Sequence, residues 1–354
     1  MPPNNDDKGI KITLEDLAGV STPEINSADA SVGQLATGAK NYGSVTEAAE
    51  KAEPVSEERG NIFLQGWFYL GLAGFLGALL GWAIDEPGFV DGGGSHWGNT
   101  WIIPLIVTLL CLGFGIAESI VERSFRKALI RAAMSLPLGV ILGFVFSAVA
   151  NLIFVIAVAI CASAGVQSFR NPAFWIARGV GWMVLGAAGG AIYGIVGQSS
   201  KKALYGILGG VIGAGIGGVI FDPIAMLTHG GAASRAVGFS LLGLATGVAM
   251  GLVESALKDR WLYVTAGPLA GKQFILYKPQ TTIGSSQQSD IYLFKDPSVL
   301  PKHAVVEISG TRVQIRALGD IQIFGRPIHL QVLQSGTPLR IGRYGFRYQE
   351  RQRK

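Results

Sequence analysis

Six apolar runs, each of about 18 residues or more and nearly free of charge, follow one another between residues 62 and 256. A run of that length crosses the hydrocarbon core of a bilayer as a helix. The helical form is required because lipid cannot satisfy backbone N–H and C=O groups. A buried helix of a soluble protein can imitate one such run, but not six in series. The runs predict an α-helical transmembrane domain over 61–257, with helices at 62–84, 101–121, 138–160, 174–197, 203–221 and 236–256. The third begins after Pro137 and lies within 132–169, where no charged residue occurs.

Composition supports lipid as the solvent. Only 15% of the chain is charged, against about 25% in ordinary soluble domains. The 50 glycines would weaken soluble helices, but membrane helices tolerate them. They also form rows. Gly186, Gly190 and Gly194 recur every four residues, as do Gly209, Gly213 and Gly217, and Gly243, Gly247 and Gly251. Residues four apart share a helix face, so each row is a smooth strip that lets another backbone come close. Tight packing is therefore predicted among helices four, five and six, or between protomers.

Basic residues set the orientation. One side carries Arg123, Arg126, Lys127, Arg131, Lys201, Lys202, Lys258 and Arg260; the other carries Arg170, Arg178 and Arg235. This asymmetry places both termini in the cytoplasm. Glu118, Glu254 and Arg178 fall within about a turn of a predicted interface, where long side chains reach water. A faint repeat, Gly115-Ile-Ala-Glu-Ser119, Gly194-Ile-Val-Gly-Gln-Ser199 and Gly251-Leu-Val-Glu-Ser255, ends three helices on the basic side. Duplicated hairpins and chance similarity both explain it.

The ends differ from the middle. Residues 1–60 hold 5 Lys+Arg against 11 Asp+Glu, with Tyr42 the single aromatic. Such a segment cannot bury enough apolar surface to order itself, and it reads as a disordered acidic cytoplasmic tail. Its opening, MPPNNDDKGI, lacks the apolar stretch of a secretory leader. Ser21-Thr22-Pro23-Glu24 is a candidate phosphorylation site or a plain turn. Residues 261–354 hold 13 Lys+Arg against 5 Asp+Glu, with a basic tail at 350–354. Cys111 and Cys161 sit in apolar runs, and His96, His229, His303 and His329 are scattered, so neither a disulfide framework nor a metal site is indicated. No phosphate-cradling glycine loop, paired soluble carboxylates or nucleophile–base signature is present. No enzyme activity, cofactor or nucleic-acid partner is expected.

From Trp261 onward the pattern changes to short β-branched and aromatic stretches punctuated by Gly, Pro and Ser. Ten strands are predicted, at 261–265, 273–277, 281–283, 290–293, 304–308, 312–316, 321–324, 328–331, 339–341 and 346–348. So many strands over 261–349 predict an all-β sandwich.

Fragments of this domain, taken in order, resemble the forkhead-associated (FHA) family. They are Gly267-Pro-Leu-Ala-Gly-Lys-Gln-Phe274, Thr282-Ile-Gly284, Ser289-Asp-Ile-Tyr-Leu293, Asp296-Pro-Ser-Val299 with His303-Ala304, and Leu333-Gln-Ser-Gly-Thr-Pro-Leu-Arg-Ile-Gly342 closing on Phe346-Arg-Tyr348. The resemblance implies Gly284, Asp290, His303 and Gly342 as structural positions. It also implies phosphothreonine binding through an Arg after the first Gly, a Ser ahead of the His and an Asn in a later loop. Here Ser285, Leu300 and Gly319 stand at those places. Ser285, Ser286, Lys302 and Arg326 remain as substitute donors, although a lysine offers only a point charge. The expectation is a membrane-anchored scaffold whose FHA-like domain binds protein partners without requiring phosphate, possible ties to Ser/Thr kinase signalling included. A phosphothreonine peptide, the lipid bilayer and the chain's own acidic tail are further candidate partners. By analogy with polytopic proteins carrying such domains, the location is a bacterial inner membrane. The alternative is a channel or transporter regulated by the same domain.

Overall fold

The computed structural model describes residues 61–92, 96–166, 168, 170–228 and 231–351. The expectations for residues 1–60 (disorder, a phosphorylation site, docking on the β domain) lie outside these residues, as do the last three residues of the basic end.

Among the described residues six long α-helices precede the β domain: α1 (Gly66–Asp85), α2 (Trp97–Val121), α3 (Phe125–Ser163), α4 (Pro172–Val196), α5 (Ser200–Leu227) and α6 (Gly231–Leu257). All six are long and apolar enough to cross a membrane. Their starts are marked by local chemistry. Ser124 Oγ accepts from Lys127 N at 3.4 Å, Asn171 Oδ1 from Ala173 N at 3.0 Å and Ser199 Oγ from Lys202 N at 3.2 Å. Each satisfies an amide that the first turn would leave unbonded. The cap at Ser124 starts α3 well ahead of residue 138, and the helix runs through Pro137 for 39 residues. Membrane helices absorb an internal proline in this way.

Each helix packs on the next and α6 packs on α1, so the six close into a ring, with α2 also touching α4. Ile106, Leu110 and Phe114 of α2 are buried, whereas Ile141, Leu152 and Ile160 of α3 point outward. In water such a face would be an aggregation site; in lipid it meets acyl chains. The glycine rows lie at helix contacts. A Cβ on Gly186 would strike the Gly210 carbonyl, and one on Gly190 the Gly206 carbonyl. Gly209, Gly213 and Gly217 meet Met250, Thr246 and Leu242 of α6 in the same way. The row on α6 faces a helix that the sequence reading left out. Gly243, Gly247 and Gly251 press on Gly74, Leu70 and Trp67 of α1, and so close the ring.

The β domain follows after a two-residue link. Its strands are β1 (Arg260–Ala266), β2 (Gln273–Ile275), β3 (Gln280–Gly284), β4 (Ile291–Tyr292), β5 (Ala304–Ser309), β6 (Arg312–Ile323), β7 (Arg326–Val332), β8 (Pro338–Ile341) and β9 (Tyr344–Glu350). The order is β2-β1-β9-β8-β6-β5-β3-β4, with β7 also on β6. All pairs are antiparallel except β3–β4. Alternating residues such as Leu262, Val264, Val306, Ile315, Ile321, Ile341 and Phe346 form one core. Nine strands replace the expected ten, because 312–316 and 321–324 are one strand with a register shift. Between them, the amides of Leu318 and Gly319 donate to the His303 carbonyl at 2.8 and 3.0 Å, which keeps the chain extended where a loop was expected.

Candidate functional site

The β3–β4 and β4–β5 loops meet at one end of the β domain. Ser285 N donates to the Leu300 carbonyl at 2.9 Å and Ser286 N to the Pro301 carbonyl at 3.2 Å. Gly284 allows this approach, since a Cβ there would collide with the Pro301 carbonyl. His303, 1% exposed, locks the arrangement. Its Nδ1 accepts from Leu300 N at 3.0 Å, so the proton sits on Nε2, which lies 2.9 Å from the Asp320 carbonyl. Gly319 packs against the same ring, where a Cβ would come within 2.5 Å of it. The residue therefore makes room for His303 from strand β6, not from a loop.

Two aspartates tie the loops to the sheet. Asp290 Oδ2 accepts from Thr282 N at 2.9 Å and Thr282 Oγ1 at 2.8 Å, and Oδ1 accepts from Lys278 Nζ at 2.9 Å. Burial pushes its carboxyl upward, but the Thr282 amide, Lys278 and the Thr282 hydroxyl outweigh burial and hold it below the usual range. Asp296 caps its own turn, accepting from Ser298 N at 3.0 Å, and reaches Arg343 N at 2.8 Å beside Gly342. Its carboxyl is likewise depressed: desolvation works against this, and the Arg343 amide and Ser298 outweigh it.

The structure thus gathers Ser285, Ser286, Leu300, His303 and Gly319 at one end, with Lys302 exposed on the same loop. Arg326 opens β7 across from Ile323, the last residue of β6 and four residues beyond Gly319. Leu300 is 45% exposed, and Leu318, whose amide bonds to the His303 carbonyl, is 50% exposed. An apolar spot occupies the tip.

The opposite side of the β3–β4 loop is closed off by the helical bundle. Gln287 Oε1 accepts from Arg126 N at 3.2 Å, and the Asp290 carbonyl accepts from Lys127 Nζ at 3.2 Å. The β1–β2 hairpin docks beside it, where Gln65 Nε2 donates to the Gly271 carbonyl and Lys272 Nζ meets Glu122 at 3.0 Å with both side chains 2% exposed.

Behind this contact lies a network that the sequence reading missed. Glu118 is shared between Lys202 at 2.7 Å and Arg131 at 3.0 Å, and Glu122 between Lys272 and Lys127. Glu254 accepts from the phenols of Tyr193 at 3.1 Å and Tyr277 at 2.5 Å. Burial and the Glu254 charge raise the Tyr277 phenol, which stays a donor. Glu118 is therefore held by two cations and Glu254 by two phenols. The repeat Gly-Ile-Ala-Glu-Ser and Gly-Leu-Val-Glu-Ser was a signal for them, since it sets both carboxylates at equivalent helix ends.

Comparison with known proteins agrees with this geometry. Residues 281–342 match the FHA domain family. A stretch of 86 residues is 35% identical to the oxoglutarate dehydrogenase inhibitor of Corynebacterium efficiens, covering 23% of this chain and 60% of that protein. Over the same length the chain is 33% identical to the glycogen accumulation regulator GarA of Mycolicibacterium smegmatis, covering 54% of it. The match thus spans less than two thirds of either relative. Among solved structures, the FHA domain of the CT664 protein from Chlamydia trachomatis is 27% identical, with a TM-score of 0.25, covering 27% of this chain and 100% of that one. The C-terminal domain that follows the six long apolar helices of the described residues is an FHA domain.

Proposed function

We propose that the protein is a membrane-anchored scaffold whose FHA domain recruits another protein without needing a phosphate group. The observation that carries this is the loop tip. Exposed Leu300 and Leu318 stand beside Ser285, where a guanidinium would be needed to meet a phosphate by charge-assisted bonds. Apolar anchors at the centre of a contact are what a phosphate-independent interface uses. The relatives named for inhibiting oxoglutarate dehydrogenase and for regulating glycogen accumulation support a role exerted on other proteins. A non-catalytic adaptor fits those names. The basic short connections support a cytoplasmic FHA domain and cytoplasmic termini, and we read the membrane, by analogy, as a bacterial inner membrane. The channel alternative draws no support from the glycine rows, which lie in backbone contact between neighbouring helices.

The test is binding of the full-length protein, held in nanodiscs, to a threonine peptide library offered with and without phosphate, and to cytoplasmic extracts. Binding that survives without phosphate and is lost in Leu300→Glu is expected. Micromolar binding that requires phosphothreonine would overturn the reading and make the domain a reader of kinase output.

A further inference from the structure

A cavity of about 360 Å³ lies between the α2–α3 turn, the ends of α1 and α6, and the bundle-facing side of the β3–β4 loop. Its size is that of a small-molecule site. Ser285, Leu300 and Lys302 are not part of its wall, so it is separate from the loop tip that meets partners.

The wall has two halves. One is charged: Arg126, Lys127, Arg131, Lys202 and Lys278 line it, with Lys272 standing behind Glu122. The carboxylates facing these six cations are Glu118, Glu122, Glu254 and Asp290. Glu118 and Glu122 are each divided between two cations, and Glu254 takes its hydrogen bonds from phenols. Positive charge is therefore in excess. Arg131 engages Glu118 through Nη1, and the Arg126 guanidinium enters no ion pair among the described residues. The other half is apolar and includes Leu64, Trp67, Ile130 and Met134. Ile130 is 51% exposed and adjoins Leu129 and Phe125, at 61% and 79%, on the outer surface of α3. The cavity thus runs from a cluster of cations to a surface that, in a bilayer, touches acyl chains.

We propose that this cavity binds the phosphate-bearing headgroup of an anionic phospholipid from the leaflet on the FHA side. The arginines and lysines hold the phosphate, and the first part of an acyl chain lies against Trp67, Ile130 and Met134. A basic pocket between membrane helices at that depth is where a phospholipid phosphate is held by charge, while the acyl chains stay in the leaflet. Arginine suits the role through its planar array of donors. Because Gln287, Ser289 and Tyr277 belong to the same wall, a bound lipid touches the bundle and the FHA domain together. The site goes beyond the protein-docking reading, and its failure would leave that reading untouched.

Native mass spectrometry of the purified full-length protein in detergent tests it, with phosphatidylglycerol, phosphatidylcholine and inorganic phosphate as probes. One phosphatidylglycerol should be retained, at least about tenfold more tightly than phosphatidylcholine, as an excess of two charges requires. Arg126→Gln should weaken it about fivefold, since each cation near the surface contributes on that order. Arg126 is exposed and its guanidinium enters no ion pair among the described residues, so the variant is expected to fold. Ile130→Ser should weaken retention of the lipid and leave any phosphate binding alone. Equal retention of the two lipids, or unchanged binding in Arg126→Gln, would overturn the proposal. Displacement of the lipid by millimolar inorganic phosphate would assign the site to a free phosphate and remove the lipid from it.

Discussion

The helical bundle and the tight turns of the FHA domain use the same residue for opposite purposes. In the bundle, glycines are contact surfaces: Gly74 against Gly243, Gly186 against Gly210 and Gly190 against Gly206 leave no room for a Cβ on either side. In the FHA domain, Gly310 and Gly336 have positive φ and nothing within 4 Å, so they serve the turn and nothing packs on them. Lipid offers no hydrophobic drive between helices, and close backbone approach must supply the cohesion. The β domain excludes water from Leu262, Val306, Tyr344 and Phe346, and burial supplies it instead. A single residue count therefore conceals two kinds of stability.

Substitution separates them most sharply at Gly247, where a side chain would run into the Leu70 carbonyl across the α1–α6 contact. Gly247→Leu should cost about 3 kcal/mol or more and open the ring, seen as lost monodispersity on size exclusion and a lowered melting temperature. Gly310→Asn in the β5–β6 turn should cost about 0.5 kcal/mol or less, because asparagine accepts the left-handed conformation. Equal effects at the two positions would break the comparison.

The junction comes next. Lys272→Met leaves Glu122 buried with one cation in place of two, and should cost about 3 kcal/mol. The double change Lys272→Met with Glu122→Leu should recover part of that, because the buried carboxylate is gone while Lys127, 13% exposed, keeps its bond to the Asp290 carbonyl. Limited proteolysis at the link between α6 and β1, together with thermal melts, reads both. If the single change is silent, the FHA domain is not held on the bundle by this pair.

Much of this was legible beforehand, for reasons particular residues show. The six spans follow from run length, and the β domain from its alternation and turn residues. Three things were hidden. Helix α3 continues through Pro137, because a cap at Ser124 and neighbouring helices overrule the local rule for proline. The Gly319 stretch is strand, because its amides answer to a carbonyl 16 residues earlier, at His303. Lys202 and Arg131 read as topology charges, because nothing local in the sequence reveals that Glu118, from a third helix, lies between them. Local pattern carries the elements; convergence of distant side chains does not show in it.

That last point also applies within the FHA domain, at Gly319. Gly319→Val should displace the His303 ring and free the Leu300 amide, at a cost of about 1–3 kcal/mol. Hydrogen exchange at Leu300 should speed up while the bundle amides stay protected. Faster exchange throughout the bundle would show the two regions to be more strongly coupled than the comparison holds.

The smallest effect concerns pH, and it falls on the β domain because its charges lie nearer to water. Asp290, 29% exposed in its side chain, is held below the usual carboxyl range against the effect of burial by the Thr282 amide, Lys278 and the Thr282 hydroxyl. An unfolded aspartate titrates at about 3.9. A carboxyl depressed in the folded state contributes stability that is fully present above the unfolded value and is lost as pH falls through the folded one. Asp290→Asn should therefore lower stability by about 1 kcal/mol at neutral pH, and its difference from the parent should shrink below about pH 3.9. Near-ultraviolet circular dichroism of the full chain, followed from pH 7 to pH 3, is expected to show that convergence in the β-domain transition. A difference that stays constant across the range would mean that Asp290 acts through packing, with its charge playing no part.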